Sequence, residues 1–494
     1  MNVASLSTLL RGIVAVPSVF DVTLHGITTD SRDVAPGDAF IALSGSRTPA
    51  GYYLNAAIRA GATVVILESE RSGQCEEHQG ALIVSVEGLK SHIGTIAARF
   101  FDHPSQQFPI VGVTGTNGKT SVSHYIAQML NETGTPCGVL GTLGYGMPGR
   151  LRPASHTTPD VVRINQNLAQ IGKQGARAAV MEVSSHALAQ GRVDGLVFAG
   201  AVFTNLSRDH LDYHGSMEAY GAAKAKLFQV EGLRFAVLNL DDAFGLELYE
   251  ALSERCNRVG YSLHATESDL RLVGLTTKED GFTASVDGLW GAFTLSAPLL
   301  GTFNVSNLLA ATAAVLSLGV PVERVIRSAS RLSPPPGRLE SYRGADGVQV
   351  VVDYAHTPDA LRNALAALRP HTRGELVCVF GCGGDRDAGK RPEMAREAES
   401  AADQVIVTDD NPRSESPDAI AADILTGFAH PDQVRVIHDR AGAIHSAVRQ
   451  AGAGDVILVA GKGHETWQER NGHKYAFSDA EQVRSALALT GGVA

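Results

Sequence analysis

The sequence predicts an α/β protein of three domains, and three observations carry that prediction. Short apolar runs alternate with segments of helical periodicity along most of the chain, as parallel βαβ units do. The texture breaks near residue 105, after His103-Pro104, and again at Pro334-Pro335-Pro336-Gly337, where three prolines stop any helix and form a semi-rigid spacer. At 494 residues the chain also exceeds one core, since single cores stop growing at roughly 250–300 residues.

Residues 1–105 read as a small N-terminal α/β domain. Its segment 29–43 is turn-rich and then an apolar strand, 56–68 is a short helix, Gly61 and a strand, and 89–105 is an amphipathic helix ended by His103-Pro104. The central domain, 106–336, has strand candidates at 108–113, 178–183, 197–204 and 235–239, with helices at 119–131, 160–173 and 217–229. From 259 to 300 the pieces are shorter and alternate, which predicts β-hairpins attached to that domain, followed by a helix over 304–319.

The C-terminal domain, 337–494, has five apolar strands within 348–356, 375–386, 404–413, 433–439 and 455–465, each running into a polar or glycine-rich loop. Helical stretches between them predict a Rossmann-like, doubly wound sheet with its ligands at the carboxyl ends of the strands.

Composition excludes several classes. A formal net charge of −10 argues against nucleic acid, which is held mainly by lysine and arginine, though a local basic cleft for a small anion is compatible with it. Five scattered cysteines give no disulfide framework, and Cys378 and Cys382 lack a second pair to complete a zinc site. No run reaches the roughly 18–20 apolar residues a membrane span needs, so a cytoplasmic protein without membrane contact is expected.

The central motif is FPIVGVTGTNGKTS, 108–121: an apolar strand, a turn through Gly115 and Gly118, then Lys119 and Thr120 at a helix start, with Gly134 as the cap at its far end. This is the layout of a phosphate-binding P-loop, in which backbone N–H groups and a helix N-terminus face the phosphates, the lysine reaches the terminal ones and a hydroxyl ligates magnesium. It departs from the general pattern at Val113, where a glycine is expected; a tight turn without a nucleotide is the plain alternative.

Glu182 ends the strand of AAVMEVSSH, 178–186, where a magnesium ligand belongs beside a P-loop; otherwise it is a strand-end charge. His210 and His214 have the spacing of a zinc protease helix, but Leu211 stands where the general-base glutamate belongs, so Asp209, His210 and Asp212 are assigned to magnesium or phosphate. Lys224 and Lys226, read without further context, are solvated surface lysines. Farther on, GCGGDRDAGKR (381–391) offers Arg386, Lys390 and Arg391, and DDNPR (409–413) sets Arg413 beside two aspartates. Such loops fit a substrate with both carboxylate and ammonium groups.

Taken together, TGTNGKTS (114–121), MEVSSH (181–186), NLSRDHLDYHG (205–215), FNVSNLLAA (303–311), GRLE (337–340) and DYAHTPD (353–359) resemble, in order and spacing, the Mur ligase family of ATP-dependent amino-acid-adding enzymes. The family's own P-loop variant accounts for Val113. DNPR at 410–413, with GGDRDAGKR and GKGHE, is similar to the branch that adds meso-diaminopimelate.

The resemblance implies that Gly115, Thr116, Asn117, Gly118, Lys119, Thr120 and Ser121, with Asn304, Asn307, Arg338 and Asp353, bind ATP. It implies Mg2+ on Thr120, Glu182, His210 and Lys224, the lysine as a carbamate, with Lys119, Glu182, His210 and Lys224 as the catalytic set. Thr29, Ser31, Ser46, Arg47 and Thr48 would bind the uridine diphosphate end of UDP-MurNAc-L-Ala-D-Glu, and His156, Thr157, Thr158, Ser184, Gln190 and Arg192 its muramyl-peptide end. Arg386, Asp410, Asn411, Pro412, Arg413, Gly461 and Glu465 would bind meso-diaminopimelate. The implied enzyme is a cytoplasmic monomer of peptidoglycan synthesis. A lysine-adding or folate-polyglutamate-adding relative and a nucleotide-dependent switch are the other readings.

Overall fold

The computed structural model describes residues 3–43, 49–154, 156–252 and 256–490. By internal contacts the chain divides into two units, Met1–Gly260 and Tyr261–Ala494.

The first unit begins with a five-stranded sheet in the spatial order Gly26–Thr28, Asp38–Ala42, Val64–Glu68, Ala81–Val86, Cys75–His78. The first four strands are parallel and the last is antiparallel to its neighbour. Gly61, at φ 106°, ends the helix Leu54–Ala60 in the left-handed conformation a β-carbon disfavours, and the strand expected after it follows. Helix Leu89–Phe100 buries Leu89, Ile93, Ile96, Ala97 and Phe100 on this sheet, in a core that also takes in Val161 and Val162. The helix stops before His103-Pro104: Pro104 opens a second short helix, Pro104–Gln107, because proline lacks only an N–H that a first turn leaves unpaired anyway.

A second sheet of this unit runs in the order Gly144–Gly146, Cys137–Gly141, Ala178–Glu182, Ile110–Thr114, Gly200–Phe203, Phe235–Asn239. All are parallel except the first, which pairs antiparallel with Cys137–Gly141. The chain leaves Ile110–Thr114 in one direction for Cys137–Gly141 and later places Gly200–Phe203 on its other side. That makes the carboxyl end of Ile110–Thr114 a topological switch point, where α/β sheets bind ligands. The strand Cys137–Gly141 is absent from the sequence expectation; CGVLG is short, and two of its five residues are glycine.

The second unit opens with an antiparallel meander, Leu270–Lys278, Gly281–Gly288 and Phe293–Ala297, as the alternating segments predict. Helix Thr302–Ser317 follows. Its main sheet is ordered Glu340–Arg343, Gln349–Asp353, Val456–Ala460, Leu376–Phe380, Gln404–Val407, Arg435–Val436. The last five strands are parallel and are the five anticipated, the fifth in space reduced to two residues; Glu340–Arg343 is an added antiparallel edge. A hairpin, Trp467–Arg470 with His473–Ala476, and a helix, Asp479–Thr490, complete the unit. Cys378 and Cys382 are buried thiols. Among the described residues no helix is long and apolar enough to cross a membrane.

Candidate active site

In the first unit, Ile110–Thr114 delivers the chain into a loop and then into helix Lys119–Glu132. Val113 lies inside the strand, in register with Glu182 and Val202, so the turn starts one glycine later than in the general pattern. Gly115 takes φ 143°, and a β-carbon there would stand 1.9 Å from Thr204 Oγ1. Lys119 Nζ donates to the carbonyls of Gly115 (3.0 Å) and Thr116 (2.8 Å), curled over the loop it would share with phosphate.

The loop is braced from one side. Thr116 N donates to Asn205 O at 2.8 Å and Asn117 N to Asn205 Oδ1 at 3.0 Å. Thr204 Oγ1 donates to Asn117 O at 2.5 Å, and the Tyr220 hydroxyl meets Thr116 Oγ1 at 3.1 Å. The sequence reading misses Asn205 and Tyr220 as loop supports, although Asn205 opens the NLSRDHLDYHG motif.

Glu182 is fully buried at the end of its strand. Its Oε2 accepts from Thr120 Oγ1 (2.9 Å) and Thr142 Oγ1 (3.1 Å), and its Oε1 from Thr142 N (2.9 Å). A hydroxyl and a carboxylate set together at a phosphate loop are hard oxygen donors of the kind magnesium selects, so Thr120 and Glu182 fit that ion. Thr142, on the loop after the unforeseen strand, is a further member of this group.

Around Glu182 the expected peptide-site residues form one network. Thr158 Oγ1 donates to Glu182 O (2.9 Å) and accepts from Ser184 N (3.0 Å); Arg192 Nη1 donates to Thr158 O (2.8 Å) and its Nε to Gln190 Oε1 (2.9 Å). Thr157 meets Thr142 at 3.1 Å between hydroxyl oxygens, and Gln190 Nε2 donates to the Tyr213 hydroxyl at 3.0 Å. His156 is exposed just before them.

Both histidines pack on the His186 ring, with centroids 4.7 Å (His210) and 5.4 Å (His214) away, and take different polar neighbours. His210, exposed, has Nε2 3.4 Å from Asp209, while His214 Nε2 lies 3.0 Å from Ser185 Oγ. Among the described residues no three histidine, cysteine, aspartate or glutamate side chains group as a metal site.

Lys224 corrects the surface reading. It is 1 % exposed, donates to Gly115 O at 2.8 Å and stands 4.3 Å over the Tyr220 ring. Burial, reinforced by the nearby Lys119 charge, drives its pKa down to about 6. Lys226 is exposed, as expected. Thr29 and Ser31 sit on the loop after Gly26–Thr28, where Arg32 holds Asp30 down to about 2 and Asp33 pairs with Arg163. Ser46, Arg47 and Thr48 lie outside the described residues.

In the second unit, Asn304 and Asn307 are buried on one helix face, Asn307 Nδ2 donating to Asn304 Oδ1 at 3.0 Å. Asp353 accepts from Leu339 N and Ala355 N, each at 2.8 Å; desolvation raises its pKa against the pull of Arg338. Arg338 stands 5.1 Å over the Tyr354 ring. Burial pushes the Tyr354 hydroxyl up, and the charge of Glu465 pushes the same way.

The 381–391 loop is less cationic than it reads. Arg391 is buried and paired with Glu415 and Asp423, both at 2.8 Å, and Lys390 donates to His356 O at 2.7 Å. Arg386 stays exposed. Arg413 takes φ 53°, its N–H donating to Glu469 O (3.0 Å) and its Nη1 to Gly384 O (2.7 Å), so the unforeseen hairpin holds it. Gly384 lets Pro412 O approach, since a β-carbon there would meet that oxygen at 2.0 Å. Asn411 Nδ2 donates to Glu465 Oε2 at 2.9 Å, and Asp410 packs so near Gly461 that a β-carbon would stand 2.6 Å from its Oδ2.

A phosphate loop in one unit, and in the other loops with guanidinium and carboxylate together, are the parts of a nucleotide-dependent ligase. Residues 113–315 match the Mur ligase middle domain and 337–463 the Mur ligase glutamate ligase domain. A protein of Ectopseudomonas mendocina named UDP-N-acetylmuramoyl-L-alanyl-D-glutamate–2,6-diaminopimelate ligase is 50% identical over 94% of this chain and 96% of its own. One of the same name from Pseudomonas aeruginosa is 49% identical, covering 95% and 96%. A solved structure of a ligase of that name superposes with TM-score 0.75 at 38% identity over 100% of both chains. The chain belongs to the Mur ligase family.

Proposed function

We propose that the chain joins meso-2,6-diaminopimelate to the D-glutamyl carboxylate of UDP-MurNAc-L-Ala-D-Glu, driven by ATP, in the cytoplasmic stage of peptidoglycan synthesis, and that it works as a monomer. Its similarity to ligases of that name supports the substrates. The observation that carries the amino-acid choice is Arg413, held by Gly384 and the Glu469 strand beside Asp410, Asn411 and Glu465. A fixed guanidinium takes a carboxylate in two parallel bonds, and the acids beside it take an ammonium.

Residues 1–105 would bind the uridine diphosphate end through Thr29 and Ser31, 106–336 the ATP, and 337–494 the amino acid. A carboxylate is a poor electrophile, so its oxygen attacks the γ-phosphorus of ATP, ADP leaves, and an acyl phosphate forms. The unprotonated amine of diaminopimelate adds to the acyl carbon; the tetrahedral intermediate expels phosphate and loses a proton, leaving the amide. Lys119 and the loop amides hold the phosphates and meet the developing charge. Thr120 and Glu182 would hold Mg2+, with His210 and Lys224 for a second ion; bound there, the metal neutralises phosphate charge. Thr157, Thr158, Ser184, Gln190 and Arg192 position the glutamyl end, with His156 at their rim. Asn304, Asn307, Arg338 and Asp353 would hold the nucleoside.

Lys224 enters as a carbamate. An amine with a pKa near 6 is neutral at pH 7, which suits addition of its lone pair to CO2 with loss of one proton. The anionic product offers oxygen where an ammonium offers none.

The test is phosphate release with ATP, Mg2+ and UDP-MurNAc-L-Ala-D-Glu, offering meso-diaminopimelate or L-lysine. Release with diaminopimelate alone is expected. Preference for lysine would leave the chemistry and remove the role given to Arg413; release with neither would remove the ligase reading.

A further inference from the structure

Beneath the loops assigned to the amino acid lie two buried cations to which the mechanism gives no role, Lys462 inside GKGHE and Arg440 outside the quoted motifs. Lys462 is 0 % exposed, and its Nζ donates to Asn411 Oδ1 at 3.0 Å and Glu465 Oε2 at 2.9 Å. Arg440 is also 0 % exposed and grips Asp479 through Nε (2.7 Å) and Nη2 (2.8 Å). The same guanidinium donates to Ala460 O at 2.9 Å and Asp409 O at 3.4 Å. Those carbonyls immediately precede Gly461 and Asp410, so each cation ties the loop after Gln404–Val407 to the loop after Val456–Ala460.

The arrangement fixes orientation as well as distance. Asn411 Oδ1 accepts from Lys462 and from Glu469 N at 3.0 Å, which commits its Nδ2 to Glu465 Oε2 at 2.9 Å. Two donors on Oε2, Asn411 Nδ2 and Lys462 Nζ, set the rotation of the Glu465 carboxylate. Glu465 and Asp479 are the carboxyl groups these cations hold directly, and Asp410 lies in their field, its carboxyl raised by burial against their pull. Buried ion pairs add little stability over apolar residues of similar size, so fixed geometry is the better account of these.

We propose that Lys462 and Arg440 are positioning residues of the amino-acid site, which preset Asn411, Glu465 and Asp410 for the incoming amino acid. The proposal rests on the amino-acid reading given above.

The experiment is steady-state phosphate release by the full chain with Mg2+, ATP and UDP-MurNAc-L-Ala-D-Glu, titrating meso-diaminopimelate, for Lys462→Met, Asp479→Asn, Glu465→Gln and the Lys462→Met/Glu465→Gln pair. Lys462→Met should raise KM for diaminopimelate about tenfold or more and leave KM for ATP and the nucleotide peptide within about twofold. Asp479→Asn, of unchanged shape, should shift the same constant about threefold to tenfold. Because Lys462 acts through Glu465, the pair should be no worse than Glu465→Gln alone. An unchanged KM for diaminopimelate in either folded variant, additive effects in the pair, or loss of fold in both single charge variants overturns the proposal. If KM moves for Arg413→Ala but not for these, the proposal fails and the amino-acid reading stands; if the unaltered chain ignores diaminopimelate, that reading fails itself.

Discussion

The phosphate loop and the amino-acid loops both hold charged groups, and they do so with different materials. The first is eight consecutive residues shaped by Gly115 and Gly118 and braced by Thr204 and Asn205, so one unbroken stretch of backbone forms the cradle. The second draws Asn411, Arg413, Lys462, Glu465, Arg440 and Asp479 from separate stretches and holds them by side-chain bonds. Phosphate is the same in every nucleotide and suits a fixed cradle. An amino acid must be told from its analogues, which takes individually placed charges.

The largest effect should come from removing the one cation the backbone cradle cannot replace. Lys119→Ala is expected to lower kcat by about 10³-fold, roughly 4 kcal/mol of transition-state stabilisation, while the melting temperature stays within a few degrees, because its bonds run to loop carbonyls at a helix start. Turnover near the unaltered level would dissolve the contrast. Next in size, Arg413→Ala should raise KM for diaminopimelate about 10²-fold and erase the preference over lysine, with KM for ATP unmoved. An equal rise for both amino acids would mean that Arg413 reads a group they share.

The smallest effect concerns Lys224, which lies against the cradle. In the fold its pKa is about 6 against an ordinary 10.5, so between those values the unfolded chain carries one more proton than the folded one. Stability therefore rises with pH across that window, by about 1.4 kcal/mol per unit, and stops rising above 10.5. Lys224→Met should flatten that rise between pH 7 and 8 in bicarbonate-free denaturant titrations. An identical slope in the variant would show that Lys224 keeps its proton in the fold.

The same contrast governs what the sequence made legible. Val113, Gly115, Lys119 and Thr120 are neighbours in the chain, and the change from strand to helical periodicity marks their turn. Glu182 and the parallel strands were readable for the same reason: apolar runs ending in one polar residue. Thr142 was not, because its strand is short and glycine-rich. Lys224 looked like any lysine on a helix, since burial by Tyr220 and Gly115 is a tertiary fact. Arg391 looked like a substrate ligand until Glu415 and Asp423 closed on it. Lys462 stood inside GKGHE without a role, and Arg440 in no motif; Asn411 and Asp479, their partners from separate stretches, come to them only in the fold.

Arg413 adds an evolutionary consequence. Its backbone sits at φ 53°, where a residue with a β-carbon costs about 1–2 kcal/mol and glycine or asparagine costs less. Thermal hardiness and substrate discrimination therefore pull this position in opposite directions. On the amino-acid reading proposed above, selection for a relaxed backbone would drift it toward glycine at the loss of the side chain's bond to Gly384 O, and selection for the right amino acid would keep the arginine.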